Sequence, residues 1–172
     1  WTLDYRTGDL SAGRLLVEGP SASRWQPTGG DFGIVQDAQP DGTTGSVLDG
    51  STPQNHVLLS SYAGDDYVVE AYGKQVQGRV WGIGIQASDS ANLISVNLYE
   101  DLDATNNLYV YGWVNGSAET HAETDVGTIH PSTWYKLTVR VSGSNIEVYL
   151  DDALEILITD PVSSAGRIAV YG

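Results

Sequence analysis

Cysteine is absent from the 172 residues, so disulfides, thiolate metal centres and thiol nucleophiles are all excluded. Methionine is absent too, even at the first position, and a chain that begins at Trp1 reads as a mature product after removal of a leader, which would imply export, or equally as a segment excised from a longer protein. Basic residues are scarce. Eight Lys plus Arg stand against 22 Asp plus Glu, a formal charge of -14 and a pI near 4.2. Such a chain repels a nucleic acid backbone or an anionic bilayer. No apolar run approaches the ~20 residues of a helical membrane span. The expectation is an extracellular or cell-surface protein that neither binds nucleic acid nor inserts into a membrane. At this length one domain with one core is expected.

What the sequence does contain is period-2 alternation. Tyr67-Val68-Val69-Glu70-Ala71-Tyr72, Val80 to Ile85, Leu93 to Tyr99, Leu108 to Trp113, Tyr135 to Val141 and Asn145 to Leu150 each read as strands rich in β-branched or aromatic residues. Turn residues separate them: Gly64-Asp65-Asp66, Asn106-Asn107, Asn115-Gly116-Ser117, Ser142-Gly143-Ser144-Asn145 and Asp151-Asp152. Nothing sustains a helical period. The pattern predicts an all-β chain, an antiparallel two-sheet sandwich with essentially no helix. Residues 24 to 50 read as loops around two short strands, Phe32 to Val35 and Ser46 to Asp49. Residues 1–13 read as an N-terminal strand, Trp1 to Tyr5, plus a polar spacer ahead of a main domain over 14–172.

The run Thr133-Trp134-Tyr135-Lys136-Leu137-Thr138-Val139-Arg140-Val141, the Ser142-Gly143-Ser144 turn and Asn145-Ile146-Glu147-Val148-Tyr149-Leu150-Asp151-Asp152 resemble the concanavalin-A-like or laminin-G-like jelly roll. Gly166-Arg167-Ile168-Ala169-Val170-Tyr171 resembles that family's "G-R-I-G-L-Y" strand. Trp25 with Phe32 to Val35 resembles its opening segment, and Asp66 to Ala71 its "D-Y-x-V-E-A" strand. Residues 14 to 172 are covered. The resemblance implies a jelly roll and leaves function open, because lectins, carbohydrate-binding modules, hydrolases and structural subunits share this sandwich.

Two departures from that pattern stand out. The family's usual last strand, often a source of a calcium ligand, has no counterpart after Tyr171, and a strand precedes the usual start. Trp1, Leu3 and Tyr5 could fill the vacancy in their own sheet, enter a neighbouring subunit, or pack without replacing anything; truncation is the fourth reading. An unpaired edge leaves backbone groups unsatisfied, and the eight-residue spacer exceeds a tight hairpin loop, which favours exchange and a homopolymer built from copies of the chain.

For catalysis the family's E-x-D-x-x-E pair of carboxylates is required. The nearest sequence, Asp101-Leu102-Asp103-Ala104-Thr105-Asn106, places an amide where a proton donor is needed. No enzyme is expected. Carboxylate clusters suit Ca²⁺ better, as a hard ion takes six to eight oxygens. The candidates are Asp65 with Asp66, Glu100 with Asp101 and Asp103, and Asp31 and Asp49 from the loop-rich segment, whereas Asp151 and Asp152 read as turn residues. A sugar could stack on Trp81, Tyr109, Tyr111 and Trp113. Tyr109, Tyr111 and Trp113 share one face at i, i+2, i+4, which is either a ligand stripe or the core, depending on whether Val110 and Val114 point inward. Trp134 and Tyr149 read as core.

The sequence thus leads to a secreted, non-enzymatic jelly roll that assembles into an extracellular filament, tube or coat by strand complementation with calcium support. The alternative is a calcium-dependent carbohydrate-binding module or adhesin within a larger secreted protein.

Overall fold

The computed structural model describes residues 2–9, 14–17, 25–29, 33–49, 57–64, 66–76, 80–100, 105–159 and 165–171. These residues form fifteen strands and no helix: β1 (Thr2–Asp9), β2 (Arg14–Val17), β3 (Trp25–Gly29), β4 (Gly33–Ala38), β5 (Thr44–Asp49), β6 (Val57–Gly64), β7 (Tyr67–Lys74), β8 (Val80–Asp89), β9 (Asn92–Tyr99), β10 (Leu108–Val114), β11 (Ser117–Thr124), β12 (Tyr135–Ser142), β13 (Asn145–Leu150), β14 (Ala153–Thr159) and β15 (Gly166–Tyr171). One sheet has eight strands in the order β14-β13-β12-β7-β1-β5-β4, with β2 paired to β1. The other has seven, in the order β11-β10-β9-β8-β15-β6-β3.

Alternation explains the layers. In β7, Tyr67, Val69 and Ala71 are buried while Val68, Glu70 and Tyr72 are only partly covered. In β12, Leu137, Val139 and Val141 turn inward, and Ile83, Ile85, Val96, Leu98 and Val110 meet them from the seven-stranded sheet. Each such aliphatic side chain contributes about 1.5–3 kcal/mol by leaving water. Tight hairpins hold the register. Asn115 and Gly116, both at positive φ (51° and 79°), close β10 to β11 in two residues, as Asp151 and Asp152 do for β13 to β14.

The leading strand departs from the strand-exchange expectation. β1 lies inside its own sheet between β7 and β5, with Leu3 opposite Gly73 and Leu48, and Tyr5 opposite Ala71. Trp1 lies outside the described residues. The spacer expectation also changes, because β1 runs on to Asp9 and Arg6 to Asp9 pair with β2. Only four residues separate Asp9 from Arg14, within ordinary hairpin range. The terminal strand β15 borders no vacancy either, since β8 flanks it on one side and β6 on the other.

Candidate glycan-binding face

The two faces of β10 have opposite chemistry. Leu108 and Val110 are fully buried in the core, and Tyr109, Tyr111 and Trp113 project half-buried from the other side. Val110 therefore decides the question of the stripe. Val114 sits at the strand end, 66% exposed. The aromatics face outward from the seven-stranded sheet.

Trp113 is fixed from two directions. Its Nε1–H donates to Ser95 Oγ at 2.8 Å, and its ring packs on a satellite cluster of Leu93, Ala87 and Ala169, separate from the main core. Glycine keeps this floor flush: a Cβ on Gly84 would lie 2.7 Å from Ala169 Cβ and 2.8 Å from Leu93 Cδ1. Tyr111 meets the indole at 6.4 Å between centroids and 64° between planes.

Tyr109 and Tyr111 stack at 5.4 Å with planes 3° apart, and Tyr99 closes on Tyr109 edge-on at 5.3 Å. Stacked at that separation, the two rings leave no space between them for a sugar. The ladder offers its rim, and Trp113 its ring. Tyr109 Oη donates to the Asn106 carbonyl at 3.2 Å. Burial pushes the Tyr111 phenol well above the usual tyrosine range, with Tyr99, Tyr109 and Glu123 adding to the effect, and burial also raises Tyr109.

Trp113 is among the residues that line an open groove of about 980 Å³, which reaches from the β10–β11 hairpin to Ile158 and Thr159 of β14. Gln86, Ser88, Asn92, Glu119, Thr120 and His121 line it together with Trp113. The ladder sets Glu119 opposite Gly112, on the face that Leu108 and Val110 turn inward, and a Cβ on Gly112 would meet the His121 ring. Local structure positions these groups. Gln86 has positive φ (52°) at the irregular end of β8, and its N–H donates to Tyr67 Oη across the core at 3.1 Å. Asp89 holds the β8–β9 turn by accepting from Ala91 N–H at 2.8 Å and from the Asn92 amide. These hydrogen bonds lower its pKa. Arg167 donates to the Ser88 carbonyl at 2.6 Å. Beside the ladder, Asn97 is 1% exposed and neither atom of its amide is paired. It is closed off from the surface and carries a desolvation cost of about 1–3 kcal/mol for each unmet group.

Trp81 is not a contact aromatic. It is wholly buried in the main core, where Gly73 leaves room for its ring. Trp134 and Tyr149, expected in the core, are half-buried at the surface. Trp134 Nε1 donates to the Ala38 carbonyl at 3.0 Å, and Tyr149 Oη to Glu147 at 2.7 Å. Of the calcium candidates, Asp31, Asp65, Asp101 and Asp103 lie outside the described residues, and Asp49 is placed by its backbone alone in β5. Asp66 accepts the Gly143 N–H at 2.6 Å, tying two loops together, and Glu100 is partly buried just after β9. Among the described residues no three carboxylate or imidazole side chains converge. Ser95, Gln86, Asn92 and Glu119 were not singled out in the sequence. The signal for Ser95 was present, because it alternates with Ile94 and Val96 on a central strand.

No family model and no curated protein matches the sequence. Solved structures do match. The carbohydrate-binding module CBM66 from Bacillus subtilis superposes with a TM-score of 0.68 over 86% of each chain at 22% identity. CG-16, a homodimeric agglutinin from chicken liver, gives 0.54 over 69% of this chain and 92% of its own at 13% identity. A putative glycosyl hydrolase from Parabacteroides distasonis gives 0.52 over 87% and 91%, also at 13%. Together with two antiparallel sheets around one core, these likenesses establish the fold, a two-sheet jelly-roll β-sandwich.

Proposed function

We propose that the chain is a non-catalytic carbohydrate-binding module that holds a glycan against Trp113. The observation that carries this reading is the indole itself. It is pinned by Ser95 and Leu93 and half-exposed in a groove furnished with the neutral groups of Gln86, Ser88, Asn92 and Thr120. Aromatic faces take the C–H face of a pyranose or furanose, and amides and hydroxyls take its hydroxyl groups. The likeness to a carbohydrate-binding module and to an agglutinin supports the reading.

Glycoside cleavage calls for a pair of carboxyl groups. The described lining supplies one, Glu119. Binding without turnover fits this better, in a protein that works outside the cell or at its surface. The self-assembling filament has less behind it, because β1 completes its own sheet. Retention on insoluble polysaccharides, compared between wild type and Trp113→Ala, tests the proposal. Specific retention lost in the variant supports it, and a wild type that no polysaccharide retains overturns it.

A further inference from the structure

We infer that Asn115 is a modification site, an asparagine set to deamidate whose conversion to aspartate or isoaspartate is held back by the neighbouring β8–β9 turn. The sequence supplies the reactive pair. Of the seven Asn residues, Asn115 is the one followed by Gly; the others precede Leu, Ile, His or Asn, whose side chains shield the backbone nitrogen. In the reaction the Gly116 nitrogen attacks Asn115 Cγ, the new C–N bond closes a succinimide, and Nδ2 leaves as ammonia with the proton that the Gly116 nitrogen gives up. Water then opens the ring at either carbonyl. Asn115 and Gly116 are both exposed, and a Cβ on Gly116 would meet nothing within 4 Å, so burial does not protect this tip.

What restrains it is hydrogen bonding. In a two-residue hairpin the N–H groups of both turn residues lie outside the ladder, and here the next hairpin takes them. Gly116 N–H donates to the Ala91 carbonyl at 2.9 Å, and Asn115 N–H donates to Asn92 Oδ1 at 2.9 Å. These acceptors are themselves braced. Asn92 Nδ2 donates to both carboxylate oxygens of Asp89, at 2.9 and 3.0 Å, and Ala91 N–H donates to Asp89 Oδ1 at 2.8 Å. The Gly116 nitrogen thus keeps its proton, aimed at Ala91, while positive φ at both turn residues (51° and 79°) fixes the backbone between them. Attack needs the tip to lift off the β8–β9 turn, a local opening whose frequency sets the rate. The product puts a negative charge, and as isoaspartate an extra backbone atom, two residues along the chain from Trp113.

Peptide mass mapping of the full chain aged in mildly alkaline buffer tests this, and its readout does not depend on glycan binding. In the folded wild type Asn115 should convert roughly tenfold or more slowly than in the same chain unfolded in urea. Asn92→Ala removes one of the two bonds to the tip and should speed conversion in the folded protein roughly three- to tenfold. Asp89→Ala, which frees both Asn92 and Ala91, should act in the same direction. Equal rates in folded and unfolded wild type overturn the inference. So does an Asn92→Ala protein, folded by circular dichroism, that converts at the wild-type rate. If neither variant folds, the ratio between folded and unfolded wild type decides the matter.

Discussion

Trp113 and Ser95 are joined by a 2.8 Å hydrogen bond between adjacent strands, indole N–H to hydroxyl, on the outer face of the seven-stranded sheet. The bond costs the site no flexibility it needs, since it fixes the plane on which a sugar would rest before any ligand arrives. Trp113→Ala is expected to remove glycan binding by at least tenfold while leaving the far-ultraviolet circular dichroism intact. Ser95→Ala keeps the ring and removes its tether, so a loss of roughly threefold is expected, about the worth of one neutral hydrogen bond. Equal losses in the two variants would mean that Ser95 does more than orient the indole.

The interior aromatic gives a stability test. A methyl on Gly73 runs into the Trp81 ring, and overpacking of this kind costs about 1–3 kcal/mol. Gly73→Ala should lower the unfolding free energy by that amount, read as a lower urea midpoint at an unchanged slope of the transition, and glycan affinity of the folded variant should not change.

Whether β1 belongs to its own sheet is tested with proline. Tyr5 pairs with Ala71 inside the sheet, so Tyr5→Pro removes a backbone donor from an interior strand. The monomer is expected to lose roughly 1–3 kcal/mol. A strand that served only a neighbouring copy would leave the stability of the isolated monomer untouched.

Alkaline behaviour follows from the tyrosine ladder. Burial raises the Tyr111 and Tyr109 phenols above their ordinary value of 10.0. The folded state therefore holds these protons more tightly than the unfolded chain. Stability from this source is complete below pH 10 and falls as pH climbs from 10 through the raised folded values. Thermal midpoints between pH 8 and 11 should decline above pH 10, and Tyr111→Phe should shallow the decline.

Calcium is a separable question. Glu119 is the one carboxylate in the described lining, short of the six to eight oxygens the ion takes. Glycan affinity at Trp113 should survive EDTA unchanged. A loss that calcium restores would point to the segments carrying Asp31, Asp65, Asp101 and Asp103.

Much of the fold was legible in the sequence. Strands such as β7 and β12 bury alternate residues, so composition and period agree. β11 was missed because Ser117-Ala118-Glu119-Thr120-His121-Ala122-Glu123-Thr124 is an edge strand on which only Ala122 packs on the core, so it carries no apolar period. β14 was missed because it too is an edge, with Leu154 and Leu157 exposed at 52% and 63%. The site was half legible. Alternation grouped Tyr109, Tyr111 and Trp113, but Trp81 obeys the same local rule. What sends it inward is a glycine on the facing sheet, a relationship invisible along one strand. Strand exchange was overestimated because the spacer contained the second half of β1.

The most direct test is a titration of the indole N–H resonances of the five tryptophans with neutral oligosaccharides, followed by heteronuclear NMR. The Trp113 signal, held by Ser95, should move in proportion to binding while that of buried Trp81 stays in place. A glycan that binds without shifting Trp113, or neutral glycans that shift none of the five, would contradict the assignment of this face as the binding site.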